Sequence, residues 1–126
     1  MSLFHAVVWT DHKAAQVLQF DAEQVLIDKV RSHTHHTAQH GSVVRTEHEF
    51  FGELCDAIAG VGEVLVTGSH TALADFRHYA EKHRPQTASR IAAYEVVDHP
   101  TDNQLVAMGR KYFLAHDSQR RSPELP

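Results

Sequence analysis

The sequence predicts a single α/β domain in which helices cover the faces of a mixed five-stranded sheet. Two observations lead to this fold class. Three strand-like segments joined by tight turns open the chain, and helix-like and strand-like segments alternate after them. The 126 residues match the size of one domain and can bury about two-thirds of the unfolded surface, which is enough for one core. We therefore assign residues 1–116 to one domain and expect a disordered tail over 117–126.

The opening strands are predicted at 3–10, 14–20 and 23–31, where apolar residues are bounded by turn residues. Thr10-Asp11-His12 and Asp21-Ala22 supply the turns. Strands joined by such short turns pair antiparallel, so the sequence predicts a meander. Trp9, the sole tryptophan, ends the first strand and is expected in the core.

The first helix is predicted to begin at a capping box, Thr46-Glu47-His48-Glu49, in which the Thr46 hydroxyl accepts from the amide of Glu49. Apolar residues then follow at helical spacing, and Gly60 and Gly62 end the helix. Within that apolar stripe, Cys55 is expected to be a buried thiol. As the only cysteine, it excludes an internal disulfide and a cysteine-based zinc site.

The second half alternates strands and helices. EVLVT at 63–67 reads as a buried strand, and helices are predicted at about 71–83 and 103–116, with a fifth strand at 90–97 between them. Leu73, Phe76, Tyr79 and Ala80 are expected on the inward face of the first of these helices. The order βββαβαβα is the ribonuclease H-like layout.

Charge and hydropathy narrow the function classes. The chain has 12 Lys+Arg against 16 Asp+Glu, a formal net charge of -4 with neutral histidines, so any nucleic-acid binding must come from a local patch. The N-terminus lacks the pattern of a signal peptide, and no apolar stretch approaches the ~20 residues of a membrane span. We expect a soluble, cytoplasmic protein.

The most unusual segment is the polar stretch SHTHHTAQHGSVVRTEHE at 32–49, with five of the 12 histidines. Three interpretations stay open. Imidazoles bind Zn²⁺ or another divalent transition metal, and the candidate ligands are His33, His35, His36 and His40. The second is an ordinary solvated polar loop. The third is an RNA-facing surface, helped by Arg31 and Arg45.

Two further loops follow predicted strands, at the edge of the sheet where open α/β folds often bind ligands. In Asp98-His99-Pro100-Thr101-Asp102, Asp98 could orient the His99 ring, and Asp102 is the expected N-cap of the last helix, with Thr101 as the alternative. In Thr67-Gly68-Ser69-His70-Thr71, the expected role is a helix cap at Ser69 or Thr71, against anion binding at Ser69 and His70.

A metal-dependent nuclease or hydrolase is the enzymatic alternative. It would need clustered carboxylates that hold two divalent metals. Asp11 follows the first strand at a suitable position, and Glu49 or Glu53 could join it from the first helix. The fourth strand, however, ends in Thr67-Gly68 without an acid.

Basic residues on the second and last helices could form one RNA-binding face, against the alternative of ordinary solvated helix surfaces. The candidates for this face are Arg77, His78, Lys82, His83, Arg84, Arg90, Arg110 and Lys111.

Three segments carry a resemblance to a known family: HAVVWTDHKAAQVLQF at 5–20, EVLVTGSHTALADFRHYAEKH at 63–83 and VVDHPTDNQLVAMGRKYF at 96–113. The chain resembles small bacterial proteins described as translational machinery proteins. These are stand-alone relatives of the middle domain of archaeo-eukaryotic class-one release factors and of Pelota. In release factors this domain carries a Gly-Gly-Gln loop that promotes peptidyl-tRNA hydrolysis, and Gln39-His40-Gly41-Ser42 occupies that position here.

Since the Gly-Gly-Gln motif is absent from the sequence, the resemblance transfers no catalytic residue. It implies a ribosome-linked role, because Pelota also lacks the motif and acts on stalled ribosomes. The leading hypothesis is a non-enzymatic module that binds the ribosome or RNA during translation stress or stalling. The alternatives are the metal-dependent hydrolase and a metal-binding protein without catalysis. A homodimer is expected, since an isolated middle domain leaves a sheet edge or helix face free to pair.

Overall fold

The first three strands form the predicted antiparallel meander. The structure, a computed structural model, describes residues 3–32 and 42–121, and for 42–45 and 116–121 it describes the backbone alone. The strands are β1 (His5–Thr10), β2 (Ala14–Phe20) and β3 (Val25–Arg31), so β1 and β3 each begin two residues later than predicted.

Both turns of the meander are built around an aspartate. The Oδ1 atom of Asp21 accepts from the amides of Glu23 and Gln24, each at 2.8 Å. These backbone hydrogen bonds stabilise the carboxylate and lower the pKa of Asp21. Asp11 makes the equivalent pair of bonds in the first turn.

The later strands extend the sheet on the other side of β1. Strand β4 (Glu63–Gly68) pairs parallel with β1, and β5 (Ile91–Val96) pairs parallel with β4. The strand order is therefore β3-β2-β1-β4-β5, which confirms the predicted mixed five-stranded sheet. Since β1, β4 and β5 run parallel, their carboxyl ends meet at one edge, called the carboxyl edge below.

Four helices connect and follow these strands: α1 (Ser42–Ala57), α2 (His70–His83), α3 (Pro85–Ala88) and α4 (Asp102–Arg121). The predicted capping box was wrong, because Thr46 and Glu49 lie inside α1, whose first residue is Ser42. Helix α3 was not predicted. Pro85, just after the end of α2, begins a new helical turn, because proline is well suited to the first positions of a helix.

The last helix begins with a capping box formed by Thr101 and Gln104. The Thr101 hydroxyl accepts from the amide of Gln104 at 3.2 Å, and the Gln104 side chain accepts from the amide of Thr101 at 2.9 Å. Thr101, the alternative, is therefore the cap, and the prediction of Asp102 as N-cap was wrong. Asp102 is instead in the first turn of α4, where its charge favours the helix dipole.

Helix α4 also ends later than predicted. It continues to Arg121, so the expected disordered tail starts within a helix, because no glycine or proline interrupts the sequence between His116 and Arg121. The rest of that tail, 122–126, lies outside the described residues.

The sheet has a core on each face. Along the central strand β1, Ala6 and Val8 point to one face and Val7 and Trp9 to the other, and all four are buried. The first face packs against α1 and α2 through three fully buried rings, Phe50, Phe51 and Phe76. Burying such a ring contributes about 2–3 kcal/mol.

The second face packs against α4. Leu105 and Phe113 of this helix lie over Leu18 and Phe20 of β2, so they form its apolar side. Gly109 allows the close approach, because a Cβ there would lie 2.9 Å from the ring of Phe20. In the described part of the chain, no helix is long and apolar enough to cross a membrane.

Candidate functional site

The carboxyl edge brings together residues from three distant parts of the sequence. The Ser69 amide donates to the Thr10 carbonyl at 3.4 Å, which places Asp11 beside Ser69. The Val97 amide donates to the Gly68 carbonyl at 3.0 Å, which draws the loop that begins with Asp98 to the same place. The carboxyl edge thus gathers the candidates Asp11, Ser69 and Asp98, as expected from the order of the strands.

Gly68 makes this junction possible. Its φ of +152° lies where L side chains are rarely found, and a Cβ would overlap the carbonyl oxygen of Thr10. Strands β1 and β4 therefore close on each other at Thr10 and Gly68, their last paired residues.

Asp11 has a structural role in this arrangement. Its Oδ1 atom accepts from the amides of Lys13 and Ala14, both at 2.7 Å, and so fixes the turn between β1 and β2. These two short bonds from backbone amides give Oδ1 of Asp11 a role in the turn that involves no metal ion.

His99 is held by stacking. Its ring lies parallel to the indole of Trp9, with centroids 4.2 Å apart and an angle of 15° between the planes. The indole Nε1 donates to the main-chain carbonyl of Asp98 at 3.2 Å. Trp9 is thus a core residue, as predicted, that also anchors this loop. No hydrogen bond joins the described side chains of Asp98 and His99, so the His99 ring is oriented by Trp9 rather than by the Asp98 carboxylate.

Helix α2 begins at the carboxyl edge. Ser69 is its N-cap by position, as predicted, but its hydroxyl makes no capping hydrogen bond. His70, the first helical residue, is exposed. One turn further along, Asp75 Oδ2 lies 2.9 Å from Nε2 of His12, so the turn between β1 and β2 is linked to α2.

The basic candidates on α2 have partners of their own. Arg77 donates to Glu81 at 3.1 Å, and its guanidinium lies 5.2 Å from the ring centroid of Tyr94. Arg84 donates to Asp56 of α1 at 2.7 Å, which raises the pKa of Arg84. These contacts favour a structural role for both arginines, since each charge already faces a carboxylate.

Arg110 and Lys111 lie on α4, across the sheet from α2. Arg110 donates to the Asp21 carbonyl at 2.8 Å and lies 5.8 Å from the ring centroid of Phe20. Because α2 packs on one face of the sheet and α4 on the other, the basic residues of these two helices do not form the single face that was one of the two alternatives. Arg90 donates to the carbonyl of Ala59 and anchors the start of β5.

Two sets of predicted site residues lie neither at the carboxyl edge nor on α2 and α4. Arg31 is exposed near the end of the edge strand β3, beside a shallow depression of about 580 Å³ between β3 and α1. The side chain of Arg45 and the histidines His33, His35, His36 and His40 lie outside the described residues. In the part of the chain that is described, no three histidine, cysteine or acidic side chains are placed to hold a metal ion.

A second site lies in the groove between α1 and α2. This α1–α2 groove is a cavity of about 220 Å³, lined by Glu47, His48, Phe51, Asp75, His78, Tyr79, Lys82 and His83. The residues from α2 recur at the spacing i, i+3, i+4, i+7, i+8, so they form one stripe along the helix. The sequence contained this stripe, but its members were assigned separately: Tyr79 to the inward face of the helix, and His78, Lys82 and His83 to a basic surface.

Three rings meet in the α1–α2 groove. The centroid of His48 lies 5.2 Å from that of Tyr79 and 5.8 Å from that of His83, and Tyr79 and His83 are 4.9 Å apart. Phe51 forms the floor below Tyr79, with centroids 5.8 Å apart. Beside this cluster, α1 carries Gly52, where a Cβ would lie 3.1 Å from the hydroxyl of Tyr79.

Cys55 lies beneath this surface. It is fully buried on α1, and burial raises its thiol pKa to about 11. The prediction of a buried thiol is confirmed.

Comparison with solved structures shows where this fold occurs. The chain is similar to Archaeoglobus fulgidus Pelota (TM-score 0.58, 14% identity), with a match that covers 98% of this chain and 38% of that protein. It is also similar to an archaeal translation termination factor, aRF1 (TM-score 0.59, 11% identity, 92% of this chain and 39% of that one). A third similar structure is Thermoplasma acidophilum Pelota (TM-score 0.57, 13% identity, 81% and 30%).

The chain thus spans less than half the length of these proteins. No protein-family model matches the sequence, and no curated protein gives a match. At these identities the similarity shows a shared fold, and that fold is the one found in Pelota and in a translation termination factor.

Proposed function

We propose that this chain is a cytoplasmic, non-enzymatic module that binds the ribosome or RNA and acts when translation is stressed or stalled. The observation that carries the proposal is the match of almost the whole chain, 98%, to the fold of Pelota. A second similar structure is a translation termination factor. Two proteins that share this fold thus support a role in translation, in agreement with the resemblance of the three sequence segments.

The role of Asp11 supports binding over hydrolysis. A two-metal nuclease needs carboxylates that are free to coordinate, whereas Oδ1 of Asp11 is held by the amides of Lys13 and Ala14. The sequence has Gln39-His40-Gly41-Ser42 in place of the Gly-Gly-Gln motif of release factors. The proposed function therefore includes neither metal-dependent nuclease activity nor the hydrolysis that the Gly-Gly-Gln motif promotes in release factors.

The contacts of the basic residues suggest which of them are available to a partner. Arg77, Arg84 and Arg110 each already face a local acceptor. Lys82 is exposed at the α1–α2 groove, and Lys111 is exposed on the opposite side of the sheet. A phosphate contact through Lys82 or through Lys111 would thus place the partner on different faces of the protein.

Sedimentation tests the proposal. Lysates of starved and growing cells are layered on sucrose gradients, and the untagged protein is detected by blotting. We expect it to travel with ribosomal particles and to dissociate at high salt, because phosphate contacts weaken as counterions compete. Protein that remains at the top of the gradient under both conditions would contradict a ribosomal role.

Two charge variants identify the binding face in the same gradients. Lys82→Ala should reduce the particle-bound fraction if the partner contacts the α1–α2 groove, and Lys111→Ala serves as the matched lysine on the other face. The reverse result would place the partner on the α4 side.

The homodimer and the metal site are further proposals. Leu26 and Ile27 of the edge strand β3 are 43% and 51% exposed, which favours pairing of this edge with a second copy. Analytical ultracentrifugation of wild type and Ile27→Lys tests it, and identical monomeric profiles would contradict it. Binding of Zn²⁺ by His33, His35, His36 and His40 is tested by metal analysis of untagged protein after dialysis.

A further inference from the structure

We propose that the α1–α2 groove binds one unstacked base of a single-stranded RNA, with the base against the His48–Tyr79–His83 rings and the adjoining phosphate at Lys82. This inference rests on the proposed function and names the ligand class and the site. The cavity of about 220 Å³ is smaller than the pockets that enclose drug-sized ligands, about 300–1,000 Å³, and suits a single base.

The rings provide the stacking surface. His48 and His83 are exposed, whereas Tyr79 is half-buried over Phe51, so the outer rings are accessible and the inner ones fix their position. Single-stranded nucleic acids bind proteins through bases that stack on aromatic side chains, and this contact tolerates any base. With their centroids 5–6 Å apart, the three rings are too close for a base to insert between them, so it would stack on the outer face of His48 or His83.

The charges of the groove match the two parts of a nucleotide. Lys82 is seven residues from Asp75 on the same helix, which separates the two groups by about 10 Å along its axis. The end of the groove that carries the Lys82 ammonium suits a phosphate. The carboxylates of Glu47 and Asp75 accept hydrogen bonds from the exocyclic amines of bases.

Other ligand classes fit this groove less well. The described histidine and acidic side chains do not form a cluster of three suited to a metal ion. A simple anion would be repelled by Glu47 and Asp75, and an apolar partner helix would remove the charges of Lys82 and Glu47 from water without offering them a polar group. A nucleotide offers a base that can stack on the rings, exocyclic amines that can donate to the carboxylates, and a phosphate that can pair with Lys82.

Binding of a labelled oligonucleotide tests the site. Purified full-length protein is titrated into a fluorescein-labelled single-stranded RNA of eight nucleotides, and anisotropy gives Kd. A second RNA with 2-aminopurine at one position reports stacking, because its fluorescence falls when the base stacks on a ring. We expect saturable binding accompanied by 2-aminopurine quenching.

Variants separate stacking from charge. His83→Ala should weaken binding about 5- to 100-fold, the usual effect of removing one stacking ring, whereas His83→Phe should restore affinity and quenching because it keeps a ring. Lys82→Ala should weaken binding and flatten its salt dependence, since one phosphate contact is lost. Lys29→Ala, an exposed lysine of strand β3, is the matched control and should bind like wild type.

The outcomes distinguish this site from the proposed function. RNA binding that is unchanged by His83→Ala and Lys82→Ala would overturn the groove as the site and leave the binding module intact. Co-sedimentation with ribosomes without binding of the single-stranded RNA would overturn the groove proposal and leave the proposed function intact. Failure of both RNA binding and co-sedimentation would overturn both proposals. Loss of affinity in His83→Phe as well as His83→Ala would overturn the stacking contact.

Discussion

Replacing Gly68 by alanine should destabilise the protein through one specific backbone overlap. Gly68 is the last β4 residue paired with β1, and its Cβ would overlap the carbonyl oxygen of Thr10 and lie 3.0 Å from its carbonyl carbon. Both groups belong to the backbone of central strands. The overlap can therefore be relieved only if β1 and β4 separate at the carboxyl edge.

The expected cost has two parts. An L residue at φ near +152° costs about 1–3 kcal/mol. Separation of the strands weakens the bond from the Ser69 amide to the Thr10 carbonyl, which is worth about 0.5–1.5 kcal/mol. The free energy of unfolding should thus fall by about 3 kcal/mol, a large share of the 5–15 kcal/mol typical of a domain.

Urea denaturation followed by circular dichroism measures this loss. With an m value of about 1.5 kcal/mol/M, the midpoint should drop by roughly 2 M. Gly62→Ala is the matched control. Its Cβ would also be too close to other atoms, but those atoms belong to the ring of Phe4, which is 61% exposed and can rotate away. Equal effects of the two substitutions would refute the reasoning that backbone overlap decides the cost.

Three further predictions concern the helix cap and two buried groups. Thr101→Ala should lower the free energy of unfolding by about 1 kcal/mol in urea denaturation, and Thr101→Ser should retain most of it, because the cap needs the hydroxyl that accepts from Gln104; equal losses in both variants would exclude the cap as the cause. Burial raises the pKa of Tyr94 to about 12, so the folded state holds this proton more tightly than the unfolded state. The contribution of Tyr94, measured as the difference between wild type and Tyr94→Phe in urea midpoints against pH, should be constant below pH 10 and fall by at most about 2 kcal/mol as pH rises through 12. The raised pKa of Cys55 adds a separate alkaline loss that both proteins share. The same pH dependence in wild type and Tyr94→Phe would contradict the Tyr94 contribution. Cys55 should resist a thiol reagent at pH 8 and react in urea, because it is fully buried with a pKa of about 11; rapid reaction of the folded protein would contradict its burial.

The sequence predicted the strands well because local signals and burial agree along them. Apolar runs between Asp11 and Asp21 turns specify the meander, and β-branched residues between glycines specify β4. Helix starts were harder to predict. A threonine followed three residues later by an acid occurs at helix starts and also inside helices, so Thr46 was misread, whereas Thr101-x-x-Gln104 carried the true signal.

The sites depended on contacts that spacing along one segment does not specify. The carboxyl edge was predictable, since residues after parallel strands meet at one end of a sheet. The stacking of His99 on Trp9 joins residues 90 positions apart, and no local pattern encodes it. The α1–α2 groove likewise needs the packing of two helices to bring His48 to Tyr79 and His83.

The position of α4 has a consequence for synthesis of the chain. Among the described elements, α4 is the helix that covers the second face of the sheet, and it is made last. The chain is synthesised from its N-terminus at roughly 5–20 residues per second. Val7, Leu18 and Phe20 therefore stay exposed to water until α4, which begins at Asp102, has been made. The partly synthesised protein is therefore a sheet with one face covered by α1 and α2 and an exposed apolar surface on the other face. Nascent chains that pause before α4 should be the ones that aggregate or recruit chaperones, even if the finished protein is soluble and stable.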